Sequence, residues 1–232
     1  VMGEFPGDAD NAFFNESDIN RAMNLSLTPP EDLRPVLGAD VATSGDDESV
    51  VYVNQGGRVR IFGETIAYED GRDEDGNAIV RTTSGAWSKE DTLTNARRIH
   101  AIAQHVNATE VRIDANAVGS GVATDLMRLD EFKSKVYVVI RVVGSKSSSD
   151  VNQWRNWRDE IHAFFALQMH DSLLDLDPLD TELRKELMLI TYELLNGAIK
   201  IDAKKKMFNE HGGSPDRADA AMYAVLNTSA LI

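Results

Sequence analysis

Hydrophobic and polar residues alternate along the first half of the chain with the period of β-strands. The segments 36–42, 49–55 and 58–66 are short apolar runs or alternate strictly, and Gln55-Gly56-Gly57 separates the last two. A glycine turn between two alternating segments is typical of a β-hairpin. We therefore predict three consecutive strands joined in antiparallel fashion, followed by an exposed acidic loop over 69–76.

The second half of the chain follows the longer period of helices, with short β-branched runs between them. Ser88 is predicted to cap a helix that ends near residue 106, because Asp91 follows it at the spacing of a capping box. Further helices are predicted from Gly121 to about 129, over 152–169, over 180–195 and after the cap residue Ser214. Strands are predicted at 110–113, 136–143 and 198–202, and a short helix near 17–23.

The order of these elements predicts the fold class. Three antiparallel strands come first, and each later strand is reached through a helix, so the later strands should lie parallel to the first. This gives an α/β protein with a mixed sheet flanked by helices, and the order resembles the ribonuclease-H-like architecture. We assign the folded domain to residues 36–232. Residues 1–35 are interpreted as an arm or interdomain linker, because the chain opens on sequence typical of the middle of a longer protein.

Composition narrows the possible function classes. The 232 residues, 42% of them hydrophobic, suffice for one sizeable core, and there is no apolar run of transmembrane length, so no membrane partner is expected. The lack of cysteine excludes disulfides and thiolate metal sites. A net charge of −14 argues against a general nucleic-acid coat protein, because such proteins neutralise phosphates with Lys and Arg.

Two aspartates in the closing helix point to a bound cation. Asp216 suits the positive end of the helix dipole, whereas Asp219 lies one turn further in among apolar neighbours. Because the two are three residues apart, they share a face of the helix. A buried carboxylate is strongly unfavourable unless a positive charge compensates it.

Two predicted strands also end on an aspartate, Asp40 and Asp114. If these strands are parallel neighbours, both carboxylates lie at the edge where open α/β sheets usually form sites. Together with the helix they make a group of four carboxylates, which we call the acidic cluster: Asp40, Asp114, Asp216 and Asp219. Such a cluster repels itself without a cation, and Mg²⁺ or Mn²⁺ prefers oxygen ligands of this kind. Two such ions can hydrolyse a phosphodiester.

Other charged residues are secondary candidates. Asp47, in the loop after Asp40, is a candidate to support the metal ligands from behind, and the alternative is a solvated turn. Six basic residues are candidates to contact a phosphate backbone, and the alternative is an ordinary solvated face. They are Lys146, Arg155, Arg158, Lys204, Lys205 and Lys206.

These motifs together resemble the C-terminal nuclease domain of the large terminase subunit of tailed bacteriophages, over nearly the whole chain. Gly38-Ala39-Asp40 with Asp47-Glu48-Ser49 is similar to its first acidic motif, and Ile113-Asp114 with Gly119-x-Gly121 to its second. The segment from Ser214 to Ala220 is similar to the third, although Pro215 stands where histidine is frequent. The Asp-x-x-Asp spacing is also similar to RuvC-type resolvases.

The resemblance implies a metal-dependent endonuclease that cuts concatemeric viral DNA during genome packaging. We hypothesise that the acidic cluster holds two Mg²⁺ or Mn²⁺ ions, with Asp40 bridging both, while the direct ligand of the pair Asp216 and Asp219 stays open. The implied partners are double-stranded DNA, an ATPase motor domain of the same polypeptide, a small terminase subunit and the portal. The implied location is the cytoplasm of the infected bacterium.

Three other interpretations remain open. The first is a resolvase or transposase-like nuclease of the same fold, which a comparison of branched and linear DNA would distinguish. The second is a nucleotide-binding domain of the actin or sugar-kinase class, although residues 40–45 make a poor phosphate loop. The third is a non-catalytic DNA-docking domain, for which calorimetry would detect no divalent metal binding.

Overall fold

A computed structural model provides the structure, which describes residues 11–42, 48–88, 90–116, 118–132, 137–204, 206 and 214–226. The helices of this part are α1 (Glu16–Asn24), α2 (Thr92–His105), α3 (Val118–Phe132), α4 (Trp157–His170), α5 (Thr181–Leu189) and α6 (Asp216–Val225). The strands are β1 (Val36–Asp40), β2 (Ser49–Gln55), β3 (Arg58–Ile61), β4 (Ile66–Arg72), β5 (Ala78–Thr83), β6 (Ala86–Trp87), β7 (Glu110–Asp114), β8 (Val138–Val142), β9 (Asp175–Leu176), β10 (Tyr192–Leu195) and β11 (Ala198–Ile201).

The central sheet has the mixed topology that the element order predicts. Its strands run in the order β8-β7-β1-β2-β3-β9, with β6 paired to β2. The pairs β1–β2 and β2–β3 are antiparallel, whereas β1–β7 and β7–β8 are parallel. The structure therefore confirms the ribonuclease-H-like fold class.

For two segments the predicted type of secondary structure was wrong. The acidic segment 69–76 is not a plain loop, because β4 continues to Arg72 and pairs with β5 as a separate hairpin. The predicted helix 180–195 ends at Leu189 and is followed by the β10–β11 hairpin. There Asn196 and Gly197 take positive φ values of 52° and 86°, and this turn conformation suits a tight hairpin rather than a helix.

The helix boundaries also differ from the sequence pattern. Helix α2 is capped by Asp91, which accepts a hydrogen bond from the Thr94 amide, rather than by Ser88. Helix α4 starts at Trp157 instead of 152, because Asn156 and Asp159 form a complete capping box there.

The sheet separates two hydrophobic clusters, one on each face. Leu37 and Ala39 of β1 pack with α2 and α3 in one cluster, while α1, α4, α5 and α6 enclose the other. Because side chains alternate along a strand, Gly38 and Asp40 must then face α6. No helix of the described residues is long and apolar enough to cross a membrane.

Helix α6 lies against β1 because residue 38 has no side chain. A Cβ atom on Gly38 would lie 2.1 Å from the Ala220 carbonyl oxygen and 2.2 Å from the Ala224 amide nitrogen. At the far end of the helix, the buried Arg112 of β7 donates from Nη1 to the carbonyls of Tyr223, Ala224 and Leu226. The position of α6 over β1 and β7 is thus fixed by a close backbone approach and by a charged cap.

We expect Gly38→Ala to destabilise the protein by at least about 2 kcal/mol, because α6 must move away from β1 to admit the methyl group. Gly63→Ala is the matched control, since the nearest atom to its added Cβ is 4.0 Å away. Urea unfolding of both variants measures the difference. Equal free energies of unfolding for the two variants would contradict the close packing of α6 on β1.

Candidate metal centre

The parallel pair β1–β7 places two aspartates of the acidic cluster at one edge of the sheet. Ala39 is paired with Ile113, and Asp40 and Asp114 follow one residue further along each strand. Asp40 is buried, with 6% of its surface exposed. Asp114 is half-buried and accepts hydrogen bonds from the backbone and side-chain amides of Asn116.

Helix α6 supplies the other two aspartates, and both are buried. The structure places its N-cap at Pro215, without a side-chain cap, rather than at Ser214 as the sequence pattern predicts. Ser214 Oγ instead donates to Asp216 Oδ1 at 2.6 Å. The missing cap is replaced from another helix, because Glu186 of α5 accepts a hydrogen bond from the Ala218 amide at 2.9 Å. Burial raises the pKa of Glu186 to about 8.

Three of the four aspartates converge on one positive charge, the ammonium of Lys204. Its Nζ lies 2.6 Å from Asp40 Oδ2, 2.8 Å from Asp219 Oδ2 and 3.3 Å from Asp216 Oδ1. The lysine side chain keeps 37% of its surface exposed, whereas that of Asp219 keeps 2%. Lys204 therefore reaches the carboxylates from the solvent side.

The oxygen atoms around the Lys204 ammonium are of the kind that binds a divalent metal ion. All three contacts are carboxylate oxygens gathered around a cation, which is the donor set that Mg²⁺ and Mn²⁺ prefer. Asp219 Oδ2 faces the Lys204 ammonium at 2.8 Å, whereas Oδ1 is buried and accepts no hydrogen bond from the described residues, so this oxygen has acceptor capacity left for a cation. With Lys204 in this position, no three Asp, Glu or His side chains of the described residues form a ready-made metal site. The carboxylate oxygens of Asp40, Asp216 and Asp219 would suit a divalent metal ion, and in this structure the Lys204 ammonium lies between them.

Burial and the neighbouring charges separate the pKa values within the cluster. Burial raises the pKa of Asp40 to about 7, opposed by the charge of Lys204 and reinforced by Asp219 and Asp216. Burial alone would also raise the pKa of Asp219, but the positive charges of Lys204 and Arg158 hold it below its usual value. Burial raises the pKa of Asp114 as well. One lysine thus stabilises the ionised form of Asp219 more than that of Asp40.

A histidine lies directly behind Asp219. His162 of α4 is 1% exposed, and its Nε2 is 3.8 Å from Asp219 Oδ1. Its Nδ1 is 2.8 Å from the Arg158 carbonyl oxygen, to which it donates, and its ring stacks on Phe14. Burial, reinforced by the charge of Arg158, lowers the pKa of His162 to about 3, so the ring is neutral at physiological pH. His162 packs against Asp219 without competing as a cation.

Neither a protein-family model nor a curated protein matches the sequence. The nuclease domain of the large terminase subunit gp2 of bacterial virus Sf6 is 18% identical with a TM-score of 0.71, over 93% of this chain and 99% of that chain. The large terminase nuclease of thermophilic phage G20c with bound cobalt is 19% identical with a TM-score of 0.57, over 94% and 98% of the two chains.

The chain has the fold of phage terminase nuclease domains. This confirms the resemblance that the motifs carry, and at this level of identity it shows the fold alone. A mutant of the Sf6 domain has also been solved with manganese and beta-thujaplicinol, at 17% identity and a TM-score of 0.71 over 93% of this chain and 99% of that chain.

Four of the six predicted phosphate contacts lie in the described residues outside the acidic cluster. Arg158 is half-buried and bonds the Asp202 carbonyl at 3.1 Å. Lys146 and Arg155 are exposed on the segment that leads into α4, and the Lys146 carbonyl accepts from the Trp157 amide. Lys206 is exposed and pairs with Asp202 at 2.9 Å. Lys204 lies within the acidic cluster, and Asp47 and Lys205 lie outside the described residues.

Sequence reasoning did not single out Glu186 or His162. Glu186 belongs to a predicted helix with several acidic residues, and nothing in its spacing relates it to α6. His162 occupies an apolar face of α4, where a histidine alone is an ordinary core residue. The sequence shows that His162 is a polar residue on an otherwise apolar helix face, but this pattern does not indicate which residue it contacts.

We expect Lys204→Ala to strengthen divalent metal binding and to weaken the metal-free protein. Without the ammonium, a metal ion no longer has to displace a bound cation, so the affinity for Mn²⁺ should rise by about tenfold or more. In the absence of metal, three carboxylates lose their compensating charge, and the free energy of unfolding should fall by about 2 kcal/mol. Titration calorimetry and urea unfolding measure the two effects.

Lys200→Ala is the control for Lys204→Ala, because Lys200 pairs with Glu193 on the β10–β11 hairpin, at 2.8 Å, and touches no member of the acidic cluster. Its affinity for Mn²⁺ should equal that of the parent. If Lys204→Ala binds Mn²⁺ no better than Lys200→Ala, the ammonium does not occupy the place of the metal.

Metal binding should also depend steeply on pH near neutrality. Because the pKa of Asp40 is raised to about 7, this carboxyl carries a proton below that pH and must release it to a metal. The affinity for Mn²⁺ should therefore rise by up to about tenfold per pH unit between about pH 6 and pH 7, and level off above about pH 8. Calorimetry in buffers of different ionisation enthalpy counts the released proton. No proton release at about pH 6 would contradict the raised pKa.

Proposed function

We propose that the protein is a divalent-metal-dependent endonuclease that cuts double-stranded viral DNA during genome packaging. The observation that supports this most is the convergence of Asp40, Asp216 and Asp219, from β1 and α6, on a single cation. The fold adds support, because the Sf6 nuclease domain has been solved with manganese and the G20c nuclease with cobalt.

The metal would be held by the acidic cluster. Asp40 and Asp219 are the most buried ligands, Asp216 lies one turn from Asp219, and Asp114 reaches the group from the adjacent strand. We propose that these four carboxylates would hold two Mg²⁺ or Mn²⁺ ions. When bound, such ions supply Lewis-acid activation of water and neutralise charge on the phosphodiester.

The protein's own residues prepare this site in three ways. Asp219 is ionised at neutral pH because Lys204 and Arg158 lower its pKa, so a strong ligand is available at once. Asp40 binds a metal only after losing its proton, which links activity to pH. His162 and the aromatic residues behind it exclude water from the back of Asp219, which leaves its charge directed to the open side.

The charge distribution bears on how DNA would be bound. Arg158, whose charge lowers the pKa of Asp219, and the exposed Lys146 and Arg155 on the segment before α4 are the candidates to contact the phosphate backbone. The net charge of −14 opposes DNA binding, so the isolated domain should bind weakly and lose affinity with added salt. We propose that an ATPase motor domain of the same polypeptide, a small terminase subunit and the portal supply the remaining affinity in the cytoplasm of the infected host.

Asp40→Asn and Asp219→Asn should each reduce plasmid cleavage in Mn²⁺ or Mg²⁺ by at least about a hundredfold. The neutral amide keeps the shape of the side chain but removes a ligand charge, and changes in the outer shell of a metal site alone lower activity by about 10–100-fold. Gel assays of plasmid nicking and linearisation measure the rates.

Asp73→Asn is the matched control for these variants, because the Asp73 carboxylate lies at the tip of the β4–β5 hairpin and, among the described residues, accepts hydrogen bonds from Asp75 and Asn77 of that turn. It should cut at the parental rate. Parental cleavage by Asp40→Asn, or rapid cleavage by the parent in EDTA, would exclude the metal-dependent mechanism. A strong preference for branched over linear DNA would instead favour the resolvase alternative.

A further inference from the structure

Tyr223 of α6 is a residue of the candidate metal centre that neither the motifs nor the proposed mechanism includes. It follows Asp219 by four residues, so the two side chains lie on the same face of the helix. Only 6% of its surface is exposed, and its backbone carbonyl accepts a hydrogen bond from Arg112 at 3.3 Å. The backbone at Tyr223 is therefore held against β7.

The alternation of the strands places this tyrosine near the carboxylates. Gly38 and Arg112, which are paired across β1 and β7, both contact α6. Asp40 and Asp114 lie two residues further along the same strands and hence on the same face of the sheet. Tyr223 thus lies on the face of α6 that packs over the edge of the sheet where β1 and β7 end in Asp40 and Asp114.

The electrostatic surroundings of the hydroxyl agree with this placement. Burial, followed by the charges of Asp219, Asp114 and Asp40, raises the pKa of Tyr223 well above its usual value, so the hydroxyl keeps its proton. Within the described part of the chain, no protein group accepts a hydrogen bond from this hydroxyl, yet it is not among the buried polar atoms without a partner. A protonated donor therefore has access to the space beside the acidic cluster.

We propose that the Tyr223 hydroxyl donates a hydrogen bond to a non-bridging oxygen of the phosphodiester bound at the metal centre. This rests on the proposed nuclease function and adds a catalytic residue to it. A phosphate approaching four carboxylates needs donors as well as metal ions. A neutral hydroxyl can donate without competing with the metal for the carboxylates, whereas the Lys204 ammonium contacts those carboxylates directly. If Tyr223 had only a structural role, its aromatic ring would be sufficient and its hydroxyl would not be needed.

Tyr223→Phe tests this, because it keeps the ring that packs in the helix face and removes only the hydroxyl. The rate of plasmid cleavage at saturating DNA should fall roughly ten- to hundredfold, the loss expected for one hydrogen bond to a charged group. The affinity for Mn²⁺ by calorimetry should stay within about twofold of the parent, and the melting temperature should be unchanged, since no bond within the protein is lost.

Tyr68→Phe is the matched control. Its hydroxyl likewise has no hydrogen-bond partner in the described residues, but it is buried and lies on the β4–β5 hairpin. This variant should cut at the parental rate. A second readout, binding of a short labelled duplex in Ca²⁺ by fluorescence anisotropy, should show weaker binding for Tyr223→Phe than for Tyr68→Phe.

The outcomes separate this proposal from the proposed function. If the parent neither binds nor cuts DNA, the nuclease function fails and the role of Tyr223 fails with it. If the parent cuts and Tyr223→Phe cuts and binds equally well, only the role of Tyr223 is overturned. A fall in Mn²⁺ affinity that accounts for the whole loss of rate also overturns it, because the hydroxyl would then support the metal ligands and not the phosphate.

Discussion

The site is organised by one interaction, the convergence of three buried or nearly buried carboxylates on the ammonium of Lys204. One positive charge cannot compensate three negative charges, and the pKa of Asp40, raised by burial to about 7, reflects that shortfall. Asp219 keeps the ionised form because the charges of Lys204 and Arg158 lower its pKa against the effect of burial. A divalent cation would supply the missing charge, and the partly exposed lysine is free to leave toward solvent.

The rest of the fold serves to bring these charges together despite their repulsion. Asp40 comes from a central strand, and Asp216 and Asp219 come from the last described helix, far along the sequence. Their meeting depends on α6 lying in contact with β1 at Gly38, on Arg112 bonding the carbonyls at the end of the helix, and on Glu186 capping its start. Each of these contacts helps to set where the carboxylates lie.

The sequence predicted the fold class because the order of strands and helices constrains topology strongly. It predicted Asp40 and Asp114 as strand-end residues, and Asp219 as a misplaced charge in an apolar helix, from local pattern alone. It placed Lys204 in a basic run that contacts phosphate, whereas the structure puts its ammonium among the aspartates, a contact between residues 164 positions apart that no local pattern encodes. The β4–β5 and β10–β11 hairpins were missed because turn conformation at residues such as Asn196 and Gly197 outweighed the apparent continuity of loop and helix.

The central claim is that the acidic cluster binds divalent metal in the place now held by Lys204. Anomalous diffraction from crystals grown with Mn²⁺ tests it most directly, because the anomalous signal locates the ion independently of any assumed ligand. We expect manganese within bonding distance of Asp40 and Asp219, with the Lys204 ammonium moved out of the cluster. Manganese bound elsewhere, or Lys204 still contacting all three carboxylates at saturating Mn²⁺, would contradict it.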